Sequence, residues 1–152
     1  ITNNGYNVFI GRNSGVSSTG TANVGLGPDS LQGASFSGGE NMAIGFAAGE
    51  AISSGQRNVM IGKDSGKNIT TGSGNVIFGT VNADSATGDR QLKIAGNDGT
   101  TTTTWISGDS SGVVTATLAA NTITSTQLAS ATTLLILDSS GSTLKTIIGA
   151  GS

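Results

Sequence analysis

Histidine and cysteine are both missing from the 152 residues. Their absence removes the Ser-His triad, Cys-His pairs and the usual zinc ligand sets. It also excludes a disulfide framework and leaves the redox compartment open. Charge is scarce as well, at 11% of residues against roughly 25% in typical soluble proteins. The seven Lys and Arg are scattered singly, with no basic run to neutralise phosphates, which argues against a nucleic-acid partner. No apolar stretch approaches the ~20 residues that span a bilayer and no signal peptide is visible, so no membrane insertion is expected. The chain begins at Ile1 rather than Met, as a fragment or processed piece would.

Small uncharged residues fill the space. Glycine reaches 25 of 152, and Ser and Thr supply another 41. Disordered low-complexity segments and tightly stacked β-fibres share this profile. Disorder goes with low hydrophobicity and high net charge. Here hydrophobics make up 35% and the formal net charge is only -2, so the stacked fibre is favoured.

Periodicity makes that choice firmer. The pattern Asn-x-x-hydrophobic-Gly occurs at Asn7 to Gly11, Asn23 to Gly27, Asn41 to Gly45, Asn58 to Gly62 and Asn75 to Gly79. The Asn-to-Asn spacings are 16, 18, 17 and 17. A small residue lies three positions past the Gly: Ser14, Ser30, Ala48, Ser65, then Asn82 as the pattern decays. A second turn signal follows in Thr19-Gly20, Ser37-Gly38-Gly39, Ser54-Gly55 and Thr71-Gly72. One unit therefore reads as strand, Gly turn, second short strand, Gly turn.

Strand side chains alternate faces, so positions two and four of each pentapeptide share one face. Those pairs are Val8/Ile10, Val24/Leu26, Met42/Ile44, Val59/Ile61 and Val76/Phe78, always large and apolar. They are the expected roll core. The middle residue is Phe9, Gly25, Ala43, Met60 or Ile77 and is never polar, so both faces are expected to be covered. Phe9, Met60 and Ile77 become candidate intersubunit contacts. Coils of about 17 residues stacked ~4.8 Å apart give a rod only ~24 Å long. Its core is too thin for independent stability, and cyclic assembly of identical chains is the economical remedy. Asn and Gly both tolerate φ > 0 at tight corners, and stacked Asn side chains can form a hydrogen-bonded ladder.

The pattern Asn-Val-x-Ile-Gly-x-x-Ser, as in Asn7 to Ser14 and Asn58 to Ser65, resembles the head repeat of trimeric autotransporter adhesins. The ~17-residue version with a Thr-Gly or Ser-Gly turn looks more like repeats in bacteriophage tail fibres. The resemblance covers roughly residues 5 to 80. It implies a trimeric, left-handed parallel β-roll with roll cores facing inward. Gln91-Leu92-Lys93-Ile94 followed by Thr104-Trp105-Ile106-Ser107-Gly108-Asp109 resembles, over a shorter and less specific stretch, segments that follow such repeats in phage fibres. Pro28 and Leu31 depart from the pattern in the second copy, and the last copy lacks its Ser.

The expected organisation is a β-roll repeat domain at 1–80, a linker and β-hairpin or meander at 81–115, and an oligomerisation segment at 116–152. Residues 80 to 90 read as linker or cap. Leu92/Ile94 and Trp105/Ile106 bracket a Gly-Asn-Asp-Gly turn and five Thr, a hairpin signal. Trp105 is most simply a core or intersubunit anchor, with a sugar-stacking platform the alternative. Ser125 to Ala129 reads as a short capped helix, and Leu134 to Leu137 with Leu144 to Ile148 as a second hairpin.

The nine carboxylates sit mostly beside Gly or Ser in turn sequences, such as Asp64-Ser65-Gly66 and Asp138-Ser139-Ser140-Gly141. Turn chemistry explains them better than a glycosidase acid pair. Asp98 and Asp109 are the candidates for an isolated oxygen-ligand site. No phosphate-cradling Gly loop is present, Asn68-Ile69-Thr70 is an incidental sequon, and no cofactor is expected. The function expected is non-enzymatic: a structural shaft segment of a phage tail fibre, homotrimeric, joined to other tail proteins, located in the virion and supporting host attachment. A head fragment of a bacterial surface adhesin is the alternative, and a polysaccharide-cleaving tailspike a third reading. The second turns, at 16–21, 32–39, 50–56 and 67–73, are the expected surface for any host receptor.

Overall fold

The computed structural model describes residues 5–117, and the backbone of two strands at 133–137 and 143–148. The chain divides into two compact units, Ile1–Thr117 and Leu118–Ser152. Every regular element described is a strand. In the first unit, β1 (Val8–Ile10), β2 (Val24–Leu26), β3 (Met42–Ile44), β4 (Val59–Ile61) and β5 (Val76–Phe78) follow at the repeat spacing. Each pairs in parallel with the next, Val8 to Val24 to Met42 to Val59 to Val76, without a register shift. The result is a β-solenoid of about five turns. In the second unit, β9 (Thr133–Leu137) and β10 (Thr143–Ile148) form the expected antiparallel hairpin. The helix read at Ser125 to Ala129 lies outside the described residues.

The solenoid does not stop at Gly79. Strand β6 (Leu92–Asn97) pairs in parallel with β5, Val76 to Leu92 and Phe78 to Ile94. Residues 80–90 are therefore the return path of the fifth coil and not a linker. Val81 accepts the Gly66 N–H, as Ser65 accepts that of Gly49 one coil earlier. The last return is thus one residue shorter, and Ala83 enters the core while Asn82 stays exposed. Beyond β6 the chain reverses. β7 (Thr102–Gly108) and β8 (Val114–Ala116) add on antiparallel, the expected meander.

The interior is lined differently from the sequence expectation. Ala43, Met60 and Ile77, the middle residues, are fully buried within their own chain, and Phe9 packs against the same cluster. The paired positions face outward: Val8 is 48% exposed, Ile10 65%, Met42 39% and Phe78 36%. The others, Val24, Leu26, Ile44, Val59, Ile61 and Val76, are half-buried. The expected core set is thus the outer face. Met60 and Ile77, expected to meet a second subunit, are enclosed by their own chain, and Phe9 is half-buried against the same cluster.

The physical reason is width. A thin coil admits one inward residue per three-residue strand, and the return segment must fill the rest. Small Gly25 and Ala43 sit in the coils whose returns bring Leu31, Phe36 and Ile52 into the core. Gly25 also leaves room for the Phe9 ring, which a Cβ at Gly25 would meet at 2.9 Å. Leu31, a departure from the repeat, is this compensation. Each large side chain so buried contributes about 1.5–3 kcal/mol.

A side-chain ladder binds the coils together. Asn41, Asn58 and Asn75 each place Oδ1 of the preceding Asn between two donors, their own backbone N–H and their Nδ2. Gln91 closes the series on Asn75 in the same way. The Nδ2 groups also donate to the carbonyls of Gly55, Gly72 and Gly88 in the second turns. Asn23, Asn41, Asn58 and Asn75 are buried, and this bonding satisfies them. The corner role expected of Asn falls to the residue before it. Tyr6, Ala22, Glu40, Arg57 and Arg90 all have φ between 53° and 59°, whereas none of the ladder Asn has positive φ.

The pentapeptide Gly does occupy a corner, with φ of 131° to 135° at Gly11, Gly27, Gly45 and Gly62 and 104° at Gly79. These backbones also stack so closely that side chains would collide with the next coil. At the sixth rung the inward position is Lys93, in register with Ile77. Its side chain is 15% exposed and its ammonium pairs with Asp84. The stem covers the end of the core while the charge reaches water.

Candidate functional site

The most distinctive surface is the outer face of the parallel sheet. Register places Val8, Val24, Met42, Val59, Val76 and Leu92 in one column. Ile10, Leu26, Ile44, Ile61, Phe78 and Ile94 make a second column two residues further along each strand. None of the twelve is charged or polar, and all remain exposed or half-buried. Strands ~4.8 Å apart make this stripe about 24 Å long. Large contiguous apolar patches are where proteins bind partners, which makes this stripe the candidate site.

Strand sequence explains why the stripe is continuous. Parallel, unshifted pairing carries position two onto position two at every rung, so one rule per repeat becomes one line on the surface. β-branched and long aliphatic residues fit such a pleated surface.

The charged groups are arranged otherwise. Arg12 pairs with Asp29 at 2.6 Å, Arg57 with Glu40 at 2.8 Å and Lys67 with Glu50 at 2.8 Å, each bridging neighbouring coils. Glu50 and Asp64 together raise the Lys67 pKa above its usual value. The two candidate ligand carboxylates hold turns. Asp98 accepts N–H bonds from Thr101 and Thr100 at 2.8 and 2.9 Å, which lowers its pKa. Asp109 accepts from the Ser111 hydroxyl at 2.6 Å and from the Val113 N–H at 3.0 Å, and its pKa is lowered for the same reason. Among the described residues no three His, Cys, Asp or Glu side chains converge as a metal site would require.

The second turns form a shallow groove of about 460 Å³ lined by Val16, Ser17, Gln32, Gly33, Ala34, Glu50 and Ala51. Trp105 is 52% exposed and borders a cleft shared with Gly96, Asn97, Asp98, Thr101 and Thr103. It lies on the solenoid's surface and not in its core. No helix among the described residues is long and apolar enough to cross a membrane.

Sequence reasoning found the outer stripe but placed it inside. The signal was in the sizes: the outward positions are uniformly large, while the inward ones range from Gly to Phe because their return segments compensate. Comparison with models of protein families, with curated proteins and with solved structures gives no match to this chain.

Proposed function

We propose that this chain is a structural shaft segment of a bacteriophage tail fibre, a homotrimer held together through the outer face of its parallel sheet. The observation that carries the reading is the uncharged two-column stripe running across six consecutive rungs. A single solenoid leaves that stripe in water, at a cost of roughly 25 cal/mol per Å² of apolar surface. Three copies around one axis cover it on all subunits equally.

The work done by such a segment is mechanical. In-register backbone pairing and the Asn ladder repeat at every rung, so bending or stretching strains all coils together. Such a rod would hold a receptor-binding tip away from the virion and support host attachment. The ~17-residue repeat with its Ser-Gly or Thr-Gly second turn supports the phage location. The shorter Asn-Val-x-Ile-Gly-x-x-Ser core of the repeat supports a bacterial surface adhesin as the second reading, with the same assembly.

Sedimentation equilibrium of the purified chain tests the assembly. The expected mass is three times the 14.9 kDa of one chain. A monomer at micromolar concentration overturns the proposal. Genes for tail proteins beside this one separate the phage reading from the adhesin.

A further inference from the structure

The apolar stripe does not end with the last coil. Ile94 pairs with Ile106 and Ile106 with Ala116, and paired residues share a face. The second column therefore runs on from Phe78 through Ile94, Ile106 and Ala116, although the sheet changes there from parallel to antiparallel.

Trp105 joins the same face through an irregularity. On β7, Ile106 opposes Ile94 and Thr104 opposes Ala95, so Trp105 is the extra residue of a bulge. Bulges re-aim a side chain and recur at functional edges. A Cβ added to Gly96 would lie 2.6 Å from Cη2 and 2.7 Å from Cζ2 of Trp105. The indole thus occupies the space where a Gly96 side chain would stand. Along β6, Gly96 shares its face with Leu92 and Ile94 by alternation. One side of the indole rests on the glycine backbone, and half of the residue remains in water.

We propose that the β6–β7–β8 meander belongs to the same subunit interface as the coils, with Trp105 its aromatic anchor against a second copy of this chain. The inference rests on the homotrimeric reading and extends it past the repeat. A second copy is the occupant because the apolar column of the proposed subunit interface continues without a break from Phe78 through Ile94 to Ile106 and Ala116. A copy in equal register that covers β1 to β5 continues over β6 and β7, where the indole lies. Trp is enriched among the residues that dominate interface energies, in well-packed central positions.

The chain contains a single Trp, so its fluorescence reports this one place. Emission and acrylamide quenching are measured on the full chain in the same samples as molar mass. The expected result is a trimer with blue-shifted emission and quenching several-fold weaker than that of free tryptophan amide. Trp105→Ala is expected to weaken association roughly 10- to 100-fold, as hot-spot truncations do. Trp105→Phe is expected to restore most of it, and an unchanged far-UV spectrum shows that both variants fold. A trimer whose Trp105 is freely quenched overturns this inference and leaves the shaft reading standing; the indole is then open to another occupant such as a sugar ring. A Trp105→Ala chain that associates as tightly as the parent also overturns it. A monomeric parent overturns both.

Discussion

Asn58 directs two hydrogen bonds at one atom of Asn41: its Nδ2 lies 2.9 Å, and its backbone N 3.0 Å, from the Asn41 Oδ1. The Asn58 Oδ1 in turn accepts the same pair from Asn75 at 2.9 Å each. Each carboxamide thereby fixes the entry of the following strand as well as its own side chain.

Removing a middle member of this ladder leaves unpaired groups in its own coil and in the next. In Asn58→Ala, the Asn75 backbone N–H and Nδ2 lose their shared acceptor, and the Gly72 carbonyl loses a donor. Each buried group left unpaired costs about 1–3 kcal/mol, so a loss of at least about 3 kcal/mol is expected. Asn7 is only half-buried and begins the series, and Asn7→Ala is expected to cost about 1 kcal/mol. Chemical denaturation of both variants measures the contrast. Equal losses would show that the ladder does not hold the coils.

Met60 and Ile61 are neighbours with opposite fates, one fully buried and one on the outer stripe. Met60→Ala opens a cavity between Ile69 and Ile77 in the core cluster and is expected to cost about 2–5 kcal/mol of unfolding free energy. Ile61→Ser leaves the core filled, and its effect is expected in the concentration dependence of association instead. Denaturation at fixed concentration and sedimentation across a dilution series separate the two. A large folding loss from Ile61→Ser with no change in association would invert the assignment of faces.

What the sequence made legible follows from this pair. Repetition exposed the strands, because a fixed pentapeptide recurs wherever parallel rungs stack, and β1 to β5 all fall within it. It also exposed the hairpin of β6 and β7, whose Asn97-Asp98-Gly99 turn carries its own signature. Which face turns inward was hidden, since both faces are apolar and alternation fixes only that they differ. The compensation of Gly25 and Ala43 by Leu31, Phe36 and Ile52 decides it, and that pairing joins each strand to the return segment of its coil, outside the pentapeptide. The end of the roll was hidden too. Gln91 replaces Asn in the ladder and Lys93 replaces an apolar inward residue, so the sixth rung keeps the geometry while losing the motif.

Gly27 and Gly99 both have positive φ, at 133° and 97°, yet their surroundings differ. A Cβ on Gly27 would stand 2.6 Å from the Gly45 carbonyl oxygen, whereas one on Gly99 would meet nothing within 4 Å. Gly99→Ala therefore carries backbone strain alone, on the order of 1–2 kcal/mol. Gly27→Ala adds a collision with backbone that yields only if two coils separate, and a loss of at least about 3 kcal/mol is expected. Thermal unfolding ranks the two. Equal midpoints would show that stacking at the Gly column is not tight.

Asp98 and Asp109 give the meander a response to acid. Hydrogen bonds from Thr101 and Thr100 to Asp98, and from Ser111 and Val113 to Asp109, hold both pKa values below the ordinary 3.8. A carboxyl with a lowered folded pKa stabilises the fold above its unfolded value, and that contribution is lost as pH falls through the folded one. The two turns are therefore expected to keep their full contribution above pH 3.8 and to loosen below it. The Asn ladder consists of carboxamides and backbone groups, which do not titrate, so the coils should keep their protection through the same range. Carbon-13 titration of the carboxyls should place both midpoints below 3.8. Amide protection at Thr100, Thr101 and Val113 should then fall before that at Asn41, Asn58 and Asn75. A midpoint at or above the ordinary value for either residue would remove the turn bonds as the cause.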